Sequence, residues 1–341
     1  MAFTIYITKN WDQLSQVGAE LVCIDIKEKQ SRKDKYVLGL ATGNSPTGLY
    51  KHLAKKFNSG EIDSSKVQSF NLDEYVGLPS ENAQQRTLHK ESYSYFMIQE
   101  LFALLQKKFI ETNVPWGTLI DQAELIKALD NAADDYEMQG TDKGEAIVIK
   151  DDAQNEYLRW IKKEIINGYW QKIDNNGGID LHIVGVGGRG HVAFHESGIP
   201  IEGNKVLLVK LDDNTVKNAV SDGHFSKLED SPSYAISMGV EQVYKAKSVL
   251  LFANGKRKKG PITEAILGPI TADVPISYGQ KFHENGGNMI YVIDEIAAAE
   301  ILARKSEVEA KGYKLIDKRG KEYVKVESLA FVRNPDTDLL G

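Results

Sequence analysis

The sequence predicts an α/β fold: an open, doubly wound, mostly parallel sheet in a Rossmann-like three-layer arrangement. Three observations carry this expectation. Short apolar runs alternate along the chain with longer amphipathic stretches, the pattern of strands joined by covering helices. Glycine-rich turns follow several of the apolar runs directly. The chain has 341 residues, 42% apolar and 26% charged, an ordinary globular composition with ample length for a buried core.

Tyr36–Ala41 (YVLGLA) reads as a buried strand, and Thr47–Phe57 beyond a Gly/Ser/Pro turn reads as a helix. Val67–Leu72 (VQSFNL) reads as a strand followed by an irregular loop, and Ser92–Gln106 has apolar residues at helical spacing. Ile179–Val186 (IDLHIVGV) is a strand running into glycines, and Ser248–Ala253 and Asn288–Ile293 are further strands. Two stretches stand apart. Residues 116–171 are long and polar, with a turn at Gly140–Gly144 and a helical period over Asn155–Ile166, and are expected to form a peripheral helical insertion. Residues 306–341 alternate like a small exposed hairpin, a C-terminal extension to a single domain over 1–305.

Composition excludes several classes. Forty-eight acidic residues against 42 basic ones leave a net charge of −6, and the lysines and arginines are scattered, so no nucleic-acid footprint is present. One cysteine, Cys23, permits no internal disulfide and no Cys-rich metal site. MAFTIYITKNW has no basic region leading into an apolar one, which argues against a signal peptide. The longest clean apolar run, Ser248–Ala253, is far too short to span a membrane. The expected setting is the cytoplasm.

Four motifs carry chemistry. The first is Ala41-Thr42-Gly43-Asn44-Ser45-Pro46-Thr47-Gly48 between a strand and a helix. Small residues let a ligand approach the backbone, and free N–H groups at a helix N-terminus favour phosphate. It is neither a Walker A sequence nor a GxGxxG, and the alternative is a tight βα turn capped by Ser or Thr. The second is FNLDEYVGLP, where Asp73 and Glu74 follow a buried strand. A carboxylate beyond a strand's carboxyl end is placed to act as a general base, or it caps the next turn. The third, GVGGRGHVAFHESG, brings His191, His195 and Glu196 within six positions. Histidine is the natural proton carrier near neutral pH. The two histidines and Glu196 do not make HExxH, and no third ligand is in sight for a metal. The fourth, Asn254–Gly260 (NGKRKKG), is a basic turn able to clamp a phosphate, or a solvated charge run.

In this order the four motifs resemble the glucosamine-6-phosphate deaminase/isomerase family, to which 6-phosphogluconolactonase is related. The likeness runs from about Leu38 to Ile301, with ESYSYFM (91–97), AISMG (235–239) and PISYG (275–279) as supporting pieces. DEYVGLP looks like the deaminase branch, since the lactonase branch typically has an arginine after the two acids. The resemblance implies cofactor-free, metal-free chemistry on an amino-sugar phosphate. A histidine in the position of His191 serves the ring oxygen, with Glu196 as the supporting acid. A carboxylate in the position of Asp73 moves a proton between C2 and C1, and ammonia leaves to give fructose 6-phosphate. The phosphate would lie on Thr42, Gly43, Asn44 and Ser45 and be met by Lys258. Residues 203–225 correspond to the family's mobile lid. A small-molecule sugar phosphate is the implied partner, with neither nucleic acid nor membrane, and a homo-oligomer is possible within the family.

This chain also departs from the pattern. The deaminases usually carry an acid two residues before the catalytic histidine, where this chain has Arg189. An arginine there works against an imidazolium, unless Glu196 takes over the orienting role or Arg189 binds a substrate anion. His195 replaces an asparagine of the family and either handles protons or packs. Glu74 is a second acid of open role. A galactosamine 6-phosphate or other sugar-phosphate isomerase, a 6-phosphogluconolactonase and a sugar-phosphate sensor without turnover are the alternatives.

Overall fold

The computed structural model describes residues 2–221 and 225–329. Among them the strands are, in chain order, β1 (Phe3–Thr8), β2 (Tyr36–Leu40), β3 (Val67–Asn71), β4 (Asp73–Val76), β5 (Glu111–Asn113), β6 (Tyr136–Thr141), β7 (Gly144–Ile149), β8 (Leu181–Val184), β9 (Val206–Lys210), β10 (Tyr234–Met238), β11 (Ser248–Ala253), β12 (Asn288–Asp294) and β13 (Lys314–Asp317). Eight form one sheet, in the order β13-β1-β12-β11-β8-β2-β3-β5. All its pairings are parallel.

Both faces of this sheet are covered. Along β11, Val249 and Leu251 enter one core while Leu250 and Phe252 enter the other, as the two-residue period of a strand requires. The helices Trp11–Gln30 and Thr47–Asn58 cover one face through Leu14, Val22, Leu49 and Leu53. The Asn10 side chain accepts from Gln13 N and caps the first of them. Tyr169 and Ile173 of the helix Gly168–Asn175 lie on the opposite face with Ile262 and Ile266. This is the expected three-layer α/β fold.

The strand order sets where a crevice opens. From β2 the chain moves to its neighbour β3, whereas from β8 it moves the other way, to β11 and then β12. The adjacent pair β2/β8 is therefore the switch point, where a crevice opens beyond the carboxyl ends of the strands. The loops 41–48 and 185–191 both start there.

The structure corrects several expectations. A second, antiparallel sheet runs β4-β10-β9-β7-β6. Asp73–Val76, expected in an irregular loop, is its edge strand β4, with Asp73 opposite Ser237 of β10. Residues 116–171 do contain helices, but they also supply β6 and β7, and β7 pairs with β9. The stretch is thus built into the second sheet. Its long-range pairing left no local period to read. Val206–Lys210, inside the stretch 203–225 expected as a lid, is the interior strand β9, held between β10 and β7. Helix Asp213–Ser221 follows, and 222–224 lie outside the described residues. The C-terminal stretch forms no hairpin among the described residues. Lys314–Asp317 pair in parallel with β1, because that strand offers an open sheet edge. Gln13 Nε2 then donates to the carbonyls of Lys318 and Lys321, and 330–341 lie outside the described residues. No described helix is long and apolar enough to cross a membrane.

Candidate active site

The loops at the switch point surround a cavity of about 350 Å³, lined by Thr42–Ser45, Asp73, Gly185–Gly187, His191 and Lys258. The four sequence motifs, far apart in the chain, thus converge on one site.

The first loop is shaped for an anion. Gly43 has φ +105, a left-handed conformation that favours glycine. The N–H groups of Gly43, Asn44 and Ser45 donate to no backbone carbonyl among the described residues, and the helix Thr47–Asn58 begins directly after them. Trp11 Nε1 donates to the Ser45 carbonyl at 3.1 Å, and Ser45 Oγ donates to Asn254 Oδ1 at 2.7 Å, so the loop is held from two sides. Lys258 reaches the cavity from the turn after β11 and donates to the Val186 carbonyl at 2.6 Å. Burial, helped by Arg257, lowers its pKa.

Asp73 and Glu74 point in opposite directions, as neighbours on a strand do. Asp73 lines the cavity, and Thr42 Oγ1 donates to it weakly at 3.4 Å. Burial raises its pKa to about 8, with the adjacent Glu74 charge adding and Thr42 opposing. Glu74 is fully buried on the far side. Its carboxylate accepts from Tyr75 N, Ser92 Oγ, Tyr93 N, Ser94 N and Ser94 Oγ at 2.8–3.0 Å. It therefore caps the helix Tyr93–Glu100, and only one acid of the pair faces the cavity.

The glycine loop after β8 separates its polar residues in the same way. His191 Nδ1 lies 2.7 Å from Glu196 Oε2. Gly190 (φ +80) and Ala193 (φ +52) are left-handed, and the sharp turn between them folds Glu196 back beneath the imidazole. His195 is fully buried and does not line the cavity. Its Nε2 meets the Ile199 carbonyl at 3.1 Å and its Nδ1 accepts from Val240 N at 3.2 Å. Burial lowers its pKa to about 4, so it packs as a neutral ring. Arg189 Nη2 lies 2.5 Å from Asp212 Oδ2, 3.1 Å from the Lys143 carbonyl and 3.4 Å from Glu196 Oε2. Burial opposes ionisation of Asp212, but hydrogen bonds from Thr215 and Arg189 outweigh it and hold the carboxyl below the usual range. Among the described residues no group of three or more His, Cys, Asp or Glu side chains is placed to hold a metal.

Sequence reasoning missed part of the wall. Tyr75, Tyr93, Phe96 and Phe194 form an aromatic side, and Lys90 and Glu91 also line the cavity. Tyr75 and Tyr93 lie within motifs already singled out, DEYVGLP and ESYSYFM. Asp212 and Lys143 carried no signal, because their partner Arg189 is distant in the chain.

A family model for glucosamine-6-phosphate isomerases/6-phosphogluconolactonase matches residues 9–287. The chain belongs to this family. Within the glucosamine-6-phosphate isomerase family it is similar to the glucosamine-6-phosphate deaminase of Thermoanaerobacter sp. (strain X514), 33% identical over 297 residues, which cover 87% of this chain and 94% of that one. It is also similar to the glucosamine-6-phosphate deaminase of Clostridioides difficile (strain 630), 32% identical over 312 residues, covering 92% and 99%. Among solved structures, a monomeric glucosamine-6-phosphate deaminase shares the fold with a TM-score of 0.64 at 24% identity, covering 87% of this chain and 99% of its own. The 6-phosphogluconolactonase of Leishmania guyanensis shares it with a TM-score of 0.54 at 20% identity, covering 87% and 98%.

Proposed function

We propose that the protein is a glucosamine-6-phosphate deaminase that converts its substrate, with water, to fructose 6-phosphate and ammonia. The observation that carries this reading is one cavity holding a buried, proton-retaining Asp73, the His191–Glu196 pair, and an anion site made of Thr42–Ser45 and Lys258. The names of the relatives above support it.

The chemistry follows from those positions. The phosphate binds the N–H groups of Gly43, Asn44 and Ser45 with Lys258, and this remote contact fixes the sugar. His191, oriented by Glu196, takes the proton of the C1 hydroxyl and delivers it to the ring oxygen as the C1–O5 bond breaks, leaving the open-chain aldehyde. Asp73 as carboxylate then takes the proton from C2 and returns it to C1, which requires one base within reach of both carbons. Its raised pKa suits a group that must both accept and give a proton near neutral pH. The substrate's own ammonium group favours the carboxylate form when it arrives. Water adds to the resulting C2 imine, and ammonia leaves.

The test is to incubate the purified protein with glucosamine 6-phosphate and follow ammonia and fructose 6-phosphate together. Equal release of both is expected. Thermal stabilisation by the sugar phosphate without product would overturn the deaminase reading in favour of a sensor. Hydrolysis of the 6-phosphogluconolactone instead would move the protein to the lactonase branch.

A further inference from the structure

The two oxygens of Glu196 have unequal company. Oε2 meets His191 Nδ1 at 2.7 Å and Arg189 Nη2 at 3.4 Å. Oε1 is buried and has no hydrogen-bond partner among the described residues. Leaving a buried carboxylate oxygen unpaired is unfavourable. The neighbouring guanidinium is the donor best shaped to take both oxygens side by side. Arg189 does not do so. Its Nη2 lies 2.5 Å from Asp212 Oδ2 instead.

Asp212 is firmly held. It is buried, accepts from Thr215 N at 3.1 Å and from Thr215 Oγ1 at 2.6 Å, and stands at the start of the helix Asp213–Ser221. Lys143 of the turn between β6 and β7 fixes Arg189 from another side through its carbonyl. Two buried carboxylates thus compete for one guanidinium, and Asp212 has the shorter bond.

We infer that Asp212 is a positioning residue of the active site: it draws Arg189 away from Glu196 and so reserves Glu196 for His191. With Asp212 replaced by a neutral side chain, Arg189 is free to take Glu196 in a bidentate pair. The other charged groups sharing the cavity with His191 are Asp73, Lys258, Lys90 and Glu91, and none of them changes in the test.

The inference rests on the deaminase reading for its activity readout alone. Asp212→Asn keeps the side chain's shape and its ability to cap the helix. In the full chain, kcat for ammonia release is expected to fall at least ~10-fold, a modest share of what a positioned acid–base group supplies. KM stays within about threefold, since substrate binding is untouched. Combining it with Arg189→Gln removes the competing guanidinium and restores most of the lost kcat, which the repair of a mere packing defect would not do. A wild-type kcat in Asp212→Asn, or a double variant no faster than it, would overturn the inference. The same three proteins are compared by NMR of the His191 ring, which follows the hydrogen bond between its Nδ1 and Glu196. The signal of that hydrogen bond is expected to weaken in Asp212→Asn and return in the double variant. If the wild-type protein releases no ammonia, the deaminase reading fails and the ring signal alone decides; an unchanged signal across the set then sinks the proposal.

Discussion

Gly187 lies directly against the His191 ring: a Cβ built on it would sit 1.7 Å from Nε2. Only a residue without a side chain lets the imidazole occupy that place, where its Nδ1 reaches Glu196 at 2.7 Å. Gly187→Ala must therefore turn the ring away. Ring opening should suffer, with kcat down ~10-fold or more on the scale of a lost acid–base group. The fold should survive, because the His191 side chain lines the cavity and is partly exposed. Steady-state kinetics beside a thermal melt would check both halves, and an unchanged kcat would remove His191 from the mechanism.

Asp73→Asn should retain phosphate-ligand binding and lose turnover by ~10²-fold or more, the scale of a lost general base. It also has a signature in stability. The folded pKa of Asp73 is raised to about 8, above the ~3.9 of an unfolded aspartate. The folded protein then holds a proton that the unfolded chain lacks. That contribution is complete below the unfolded value and is lost as pH rises through about 8. The asparagine carries no such proton, so its melting temperature should gain on wild type from about pH 5 to about pH 9. Parallel curves would show that Asp73 is not a buried acid.

Lys258→Met keeps the apolar stem and removes the charge. A hydrogen bond to a charged group contributes ~1.5–3 kcal/mol, so KM for the sugar phosphate should rise ~10- to 100-fold while kcat changes less. An unchanged KM would place the phosphate elsewhere.

Glu74→Gln places an NH₂ group among donors that now point at a carboxylate. Stability should fall by about 2 kcal/mol or more in urea unfolding. Activity should follow stability, because β4 carries both Glu74 and Asp73. A fully stable, inactive Glu74→Gln would instead make Glu74 a second catalytic acid.

Of the fold, the parallel sheet was legible because its strands are continuous apolar runs with glycine turns beside them, as β2, β8 and β11 show. The second sheet was not. Asp73–Val76 has no strand signature of its own and becomes β4 only by pairing with Tyr234–Ser237. The polar stretch 116–171 hides β7, whose partner β9 lies about sixty positions further on. A built Cβ on Gly144, the first residue of β7, would come within 2.7 Å of Glu196, so a segment expected at the periphery shapes the candidate site.

The α/β class, the family and the loops that line the candidate site were all legible along the chain. Those are local features, written in glycines, capping residues and acids a few positions apart. Tertiary structure decided which member of each cluster faces the cavity. Asp73 faces it while Glu74 caps a helix, and His191 faces it while His195 is fixed between the Ile199 carbonyl and Val240 N. It also brought Asp212 to Arg189 across 23 positions. Burial and ion pairing are set by whatever the fold places alongside a group, and those neighbours are supplied by strands and turns remote in the chain.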